Sequence, residues 1–209
     1  MMKKILYSIL TLVLGLVLSS ASCTPQDKPE PTPDSNVTEV GVTINGVTWA
    51  TRNVAEFGKF AAKPEDAGMY YQWNNKKAWP ATGGGTWNTT PADGTTWLAD
   101  NDPCPDGWRI PTKDELLDLV TNYSINAWDA ANTGRLVGVV PNTNFLPVSG
   151  QCSTSGLLEH VGSSGYYWAC DPFSATDAYF MQVSSVSNGG TGTQAKIFGY
   201  SVRCVKGTK

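Results

Sequence analysis

The side chains with the most chemistry to offer in this chain are five cysteines, eight tryptophans and a single histidine. Beyond Cys23, the cysteines are Cys104, Cys152, Cys170 and Cys204. An even set in an exported chain argues for two disulfides, and four cysteines allow three pairings. Zinc is the rival use of these thiols, but no Cys-x-x-Cys is present and His160 is the only imidazole, so no zinc site is expected. His160 lies in Leu158-Glu159-His160-Val161, on or near a strand, and no Gly-x-Ser-x-Gly motif accompanies it. The separation of paired carboxylates for glycoside cleavage is set by the fold, and no particular pair stands out here.

The stretch from Asn74 to Asp102 offers binding chemistry instead. Trp79, Trp87 and Trp97 lie among Pro80, Gly83-Gly84-Gly85, Asn88, Thr89, Thr90, Asp93 and Gly94, a composition that makes loops. An indole held on a loop can stack on the C–H face of a sugar while nearby Asn, Asp and Thr side chains hydrogen-bond its hydroxyls. The alternative is that the three rings fold inward and give the loop a small core of its own. Asp100-Asn101-Asp102 crowds hard oxygen donors as calcium requires, but it lacks the spacing of a calcium loop. A turn leading into Pro103 accounts for it more simply. No cofactor is expected, and calcium is not favoured.

The chain begins with an address. Lys3 and Lys4 form a positive region, and Ile5 to Leu18 is a mostly apolar run, long enough for a signal peptide and short of the roughly 20 residues that span a bilayer. Ser20-Ala21-Ser22-Cys23 resembles a bacterial lipobox, although Ser20 replaces the usual aliphatic residue, so residues 1–22 are expected to be removed and Cys23 to carry lipid. Ordinary secretion would leave Cys23 as an unpaired thiol. Residues 23–38 form a tether that holds Pro25, Pro29, Pro31 and Pro33 among polar residues, extended and poor at packing. Gln26, Asp27 and Glu30 resemble the export signal of surface lipoproteins in Bacteroidetes. The expected location is therefore the outer membrane, facing outward, with the membrane touched through the lipid alone.

Residues 39–209 suffice for one domain with a sizeable core. Loss of Lys3 and Lys4 takes the formal charge from −3 to −5. Such an acidic chain is an unlikely partner for nucleic acid.

The local patterns that position these residues are mixed, with more strand than helix. Val40–Ile44 and Val47–Arg52 flank Asn45-Gly46, a pair suited to the positive φ angles of a type I′ hairpin. Thr112 and Glu115 form a capping box, and Leu116, Leu117, Leu119 and Val120 then make an apolar stripe, which predicts a helix ending near Asn122. A short helical piece is expected to hold Trp128, within an ambiguous stretch from Ala127 to Gly138. Later strands are expected at Gly165–Cys170, Ala178–Val183 and Ile197–Lys206. Tyr70, Tyr71 and Trp73 lie on a strand in which Tyr71 faces opposite to its neighbours.

Two segments carry a resemblance. Pro103-Cys104-Pro105-Asp106-Gly107-Trp108-Arg109 and Val202-Arg203-Cys204-Val205 are similar to segments of the Fibrobacter succinogenes major paralogous domain, a family of bacterial surface lipoproteins. Ile44 to Val54, Tyr70-Tyr71-Gln72-Trp73 and Gly165-Tyr166-Tyr167-Trp168 resemble it in the same order. The resemblance implies an α+β, loop-rich, disulfide-stabilised C-type-lectin-like fold, related to that of formylglycine-generating enzymes, with the first and last strands close together. It also implies a Cys104–Cys204 bridge, which leaves Cys152 to Cys170. Ala169-Cys170 departs from the family, where serines are usual. Trp108, Trp168, Arg109 and Arg203 are expected to serve structure. The related oxidases use a reactive cysteine pair, but here disulfides are expected to consume every domain thiol.

The expected function is that of a non-catalytic surface module recognising a glycan or a surface protein. A structural subunit of an appendage or envelope complex is the first alternative. An unrecognised enzyme is the second, revived if Cys152 and Cys170 prove to be free thiols.

Overall fold

The computed structural model describes residues 38–82, 86–92 and 94–209. Residues 1–37, which hold the expected leader, Cys23 and nearly all of the expected tether, the Gly83-Gly84-Gly85 run and Asp93 lie outside the described residues. The described part is mostly β-structure with one α-helix and one disulfide.

The opening hairpin joins β1 (Val42–Ile44) to β2 (Val47–Trp49), with Asn45 at φ 51° and Gly46 at φ 82°. Both central angles are positive, as a type I′ turn demands. β3 (Met69–Gln72) pairs antiparallel with β4 (Ala78–Pro80), so that Tyr70 lies opposite Trp79. A 3₁₀ turn at Ala99–Asn101 leads to the short β5 (Trp108–Arg109) and then to α1 (Lys113–Thr121). Thr112 caps α1 as expected: its hydroxyl accepts from the Glu115 N–H, and the Glu115 carboxylate accepts from the Thr112 N–H. Leu116, Leu119 and Val120 are buried, whereas Leu117 turns to solvent, so the apolar stripe is narrower than its sequence suggests.

No helix holds Trp128. That stretch is a meander of β6 (Ile125–Asp129), β7 (Gly134–Val139) and β8 (Asn142–Pro147). The Asp129 carboxylate accepts from the N–H groups of Ala131 and Asn132, and Thr133 adopts φ 55°, which turns the chain back before a helix can propagate. β9 (Gln151–Cys152) and β10 (Leu158–Glu159) form a small hairpin. β11 (Ser164–Pro172), β12 (Asp177–Ser184) and β13 (Gly190–Ala195) form a second meander. The expected final strand is broken into β14 (Gly199–Tyr200) and β15 (Val205–Lys206).

Four small antiparallel sheets result, in the orders β1-β2-β15-β5, β10-β9-β14-β3-β4, β11-β12-β13 and β6-β7-β8. Trp49 of β2 pairs with Val205 of β15, bringing the two ends of the domain together. β11 is the wall between two cores. Tyr166 and Trp168 face a cluster with Tyr71, Trp73 and Tyr200, while Tyr167 and Ala169 face a cluster with Leu116, Leu119 and Trp49. Burial on both faces explains why this strand reads as one continuous apolar run.

Candidate functional site

The site is built on the segment between the 3₁₀ turn and α1. Cys104 and Cys204 are joined, 6.0 Å apart at Cα, and both sulfurs lie in the core with Trp108 and Trp168. The bridge fixes residues 102–110 against β15. Asp102, 6 % exposed, accepts from the Cys104 N–H through Oδ1 at 2.9 Å and from the Ile110 N–H through Oδ2 at 3.1 Å. Burial pushes its carboxyl above its ordinary range, against the pull of these donors and of the Lys209 and Arg109 charges. Arg109 grips Glu115 with two nitrogens, at 2.7 and 2.9 Å, and donates to the Ile110 carbonyl. The capping carboxylate of α1 is thus also the counter-ion of Arg109.

Asp102 and Arg109 line a cavity of about 200 Å³ with Trp97, Ala99, Ile110, Cys170, Thr208 and Lys209. Lys209 Nζ donates to the Asp102 carbonyl at 3.0 Å and lies 5.6 Å from the Phe57 ring centre. Trp97 is 9 % exposed, and its indole N–H is a buried donor with no hydrogen-bond partner among the described residues. Buried donors are nearly always satisfied, so this indole N–H, closed off from solvent, is an exception within the core.

Of the three loop tryptophans, Trp79 and Trp97 turn inward instead of presenting free ring faces. Trp79 packs 4.7 Å from Trp87, and Trp97 meets Trp73 edge-on at 5.2 Å. Trp87, half-buried, donates to the Ile197 carbonyl at 3.1 Å and fills a slot between Gly156 and Gly199. A Cβ at Gly199 would lie 2.4 Å from its ring, so only glycine leaves the slot open. Lys196, fully buried, finishes the anchoring. Its ammonium donates to the carbonyls of Gly94 and Ala175, both at 2.9 Å, and sits 4.3 Å from the Trp73 ring centre. The loop therefore has the small core of its own that a glycine- and threonine-rich sequence disguises.

The expected Cys152–Cys170 bridge is corrected: both cysteines are free. Cys152 sits in β9 against Gly199, in the sheet that also holds β3. Cys170 sits in β11, bonded through its N–H to the Pro111 carbonyl, with its sulfur 3.8 Å from Asp171 Oδ2. Burial pushes both thiols up to about 12, with the Asp171 charge adding to the effect at Cys170. His160 is exposed beside β10 at φ 60°, in a turn. In the Asp100-Asn101-Asp102 segment, Asn101 donates its amide to Asn74 and both Asp102 oxygens are engaged, as in a turn. Among the described residues no three His, Cys, Asp or Glu side chains gather as metal ligands.

Lys209 and Lys196 escaped the sequence reading as site residues, and Cys170 entered it only as a thiol expected in a disulfide. Asp102 before Pro103 was the one available signal, since a carboxylate there can turn back onto the following N–H groups. No family model matches this chain, and no curated protein or solved structure is significantly similar to it.

Proposed function

We propose that this chain is a lipid-anchored module of the C-type-lectin-like kind, akin to the Fibrobacter succinogenes major paralogous domain, that binds a glycan or a surface protein without turnover. The pairing of β2 with β15 and the Cys104–Cys204 bridge between the two family-like segments support the fold assignment. The observation that carries the binding role is the cavity of about 200 Å³ beside that disulfide, with Trp97, Asp102 and Lys209 in its lining. The cavity replaces the free tryptophan faces as the recognition site.

A thiol enzyme has the two free cysteines in its favour. Against it, the thiols occupy different sheets, and a thiol pushed up to about 12 is protonated at neutral pH and a poor nucleophile. An assembly subunit would copurify with a neighbour and bind no free ligand.

Detergent-solubilised full-length chain should retain a subset of arrayed glycans or one surface protein, and Trp97→Phe should abolish that retention while leaving the fold intact. Labelled fatty acid should enter the wild type and not Cys23→Ala. Retention unaffected by Trp97→Phe would remove the cavity from the proposal.

A further inference from the structure

We infer that strand β13 is a docking edge for a second copy of this chain, the two β13 strands pairing antiparallel about a twofold axis at Gly192. β13 is the outermost strand of its sheet, and among the described residues no backbone group of residues 190–194 bonds anything beyond β12. An open edge is normally blunted by charge, proline, a bulge, shortness or a cover. Gly190-Thr191-Gly192-Thr193-Gln194-Ala195 holds no charge and no proline, and its register with β12 runs unbroken over six pairs. The other edges are guarded. β5 and β10 have two residues each and β1 has three, while β4 ends in Pro80, β8 in Pro147 and β6 in Asp129, and Tyr167 of β11 bridges to Ser201. Among the described edges only β13 lacks such a guard.

The strand is also complementary to itself. Thr191 and Thr193 are both exposed and lie opposite Met181 and Tyr179, on the face of the sheet that α1 covers. A dyad at Gly192 sets each of them opposite the other threonine of the second copy, and threonine pairs across antiparallel strands stabilise the pairing through their hydroxyls. On the other face the same dyad sets Gln194 opposite Gly190. A cavity of about 180 Å³ lies there, with Gln182, Ser187, Gly190 and Gly192 in its lining, so a long amide side chain meets the space that a glycine leaves. At the crossing point Gly192 presents no side chain, and the Phe180 ring lies over it. Leu117 adds apolar surface. It is 40 % exposed and sits on α1 between Lys113, which lies 5.0 Å from the Tyr179 ring centre, and Val120, which closes on Gly189, so it faces the β13 side of the helix. An uncharged strand that matches itself on both faces favours a second copy over an extended segment of another protein. Six residues bury less than the about 1,200–2,000 Å² of a standard stable interface, so the association should depend on concentration.

The test is sedimentation of the detergent-solubilised full-length chain over a range of concentrations, with hydrogen exchange read at β13. The chain should pass from monomer to dimer and stop there, and β13 amides should gain protection as the dimer forms. Thr191→Lys together with Thr193→Lys places like charges opposite each other twice and should weaken the dimer by about tenfold or more. Thr191→Glu together with Thr193→Glu should do the same. An equal mixture of the two variants should pair again, which neither a misfolded variant nor an interface elsewhere would produce. The inference is overturned if the wild type stays monomeric, if assembly continues past two copies, if the lysine variant dimerises as the wild type does, or if the mixture fails to pair. A monomer whose β13 amides are already protected means that another segment of the same chain covers the edge, and it overturns the second copy as occupant.

Discussion

Arg203 has no exposed surface, and its guanidinium is held by Asn53 Oδ1 at 2.9 Å, Asn144 Oδ1 at 3.1 Å and the Ala50 carbonyl at 3.2 Å. A lysine has neither the planar fork nor the reach to satisfy three oxygens in different directions. Arg203→Lys should therefore lower the stability by about 3 kcal/mol in urea titration, one to two unsatisfied buried acceptors' worth. Lys59→Ala, which removes an exposed pair with Glu56, should change it by less than about 0.5 kcal/mol. Acid acts through other residues. Burial pushes the Glu39 carboxyl up, but the Thr51 N–H and hydroxyl and the Arg52 guanidinium outweigh it and hold the group below its ordinary 4.5. Burial and the Arg109 and Thr112 donors act on Glu115 in the same way, with the same net lowering. A depressed carboxyl contributes stability above its unfolded value and loses it as pH falls through its folded value. The urea midpoint should thus fall below about pH 4.5, and Glu39→Gln should be weaker at neutral pH with a shallower acid slope. Asp102 has the opposite sign, since its raised carboxyl favours the folded state only when protonated. At this scale the sequence spoke clearly about Arg203, beside Cys204, and about Arg109, in the segment that Cys104 opens, both of which were expected to serve structure. It was silent on Lys196, because nothing in Gln194-Ala195-Lys196 announces that an ammonium will be buried against Trp73.

The elements that could be read in advance are those whose signal is local. The β1–β2 turn needs only Asn45-Gly46, and α1 needs only Thr112 and Glu115 with the apolar residues behind them. Gly46→Ala should cost about 1–2 kcal/mol through the positive φ alone, because no atom lies within 4 Å of the added Cβ. Thr112→Ala should cost about 1 kcal/mol for the lost cap, measured as a shift of the urea midpoint without change of slope. The elements that were misread depend on partners far along the chain. Ala127, Ala130 and Ala131 favour helix in isolation, yet β6 is fixed by five paired positions on β7. Gly190-Thr191-Gly192-Thr193, which is not among the strands expected from sequence, is part of strand β13 because β12 supplies its ladder, with the Phe180 ring lying over Gly192 where a side chain would be. The break between β14 and β15 falls at Ser201–Cys204, where the backbone turns aside to bond β11 and residues 50–54, and Arg203 reaches Asn53 and Asn144. A local pattern carries no trace of that demand.

Across the whole molecule, closure is the organising event: the hairpin at one end meets β15 at the other, and a bridge of sequence separation 100 locks them. The resemblance to a family pointed to that bridge, whereas the second bridge was inferred from the parity of the cysteine count. Parity knows nothing of place. Cys152 belongs to the sheet carrying Tyr70 and Cys170 to the one facing α1, so an even number of thiols did not mean an even number of bonds. A count of thiols tests this directly. Cys23→Ala chain, denatured without reductant, should titrate two thiols and, after reduction, four. No thiols before reduction would restore the second bridge. The same bridge sets the size of the largest stability effect expected in the protein. Closing a loop of about 100 residues contributes roughly 4–5 kcal/mol in the chain-entropy model. The double change Cys104→Ser and Cys204→Ser should lower the urea-derived stability by about that amount, several times the loss from Thr112→Ala. Because Asp102, Ile110 and Lys209 hold their places through the residues flanking the bridge, the loss should extend to the cavity. If the cavity binds as proposed, ligand should be lost on reduction under conditions where far-ultraviolet circular dichroism still reports a folded chain, since the core behind β11 does not depend on the sulfurs.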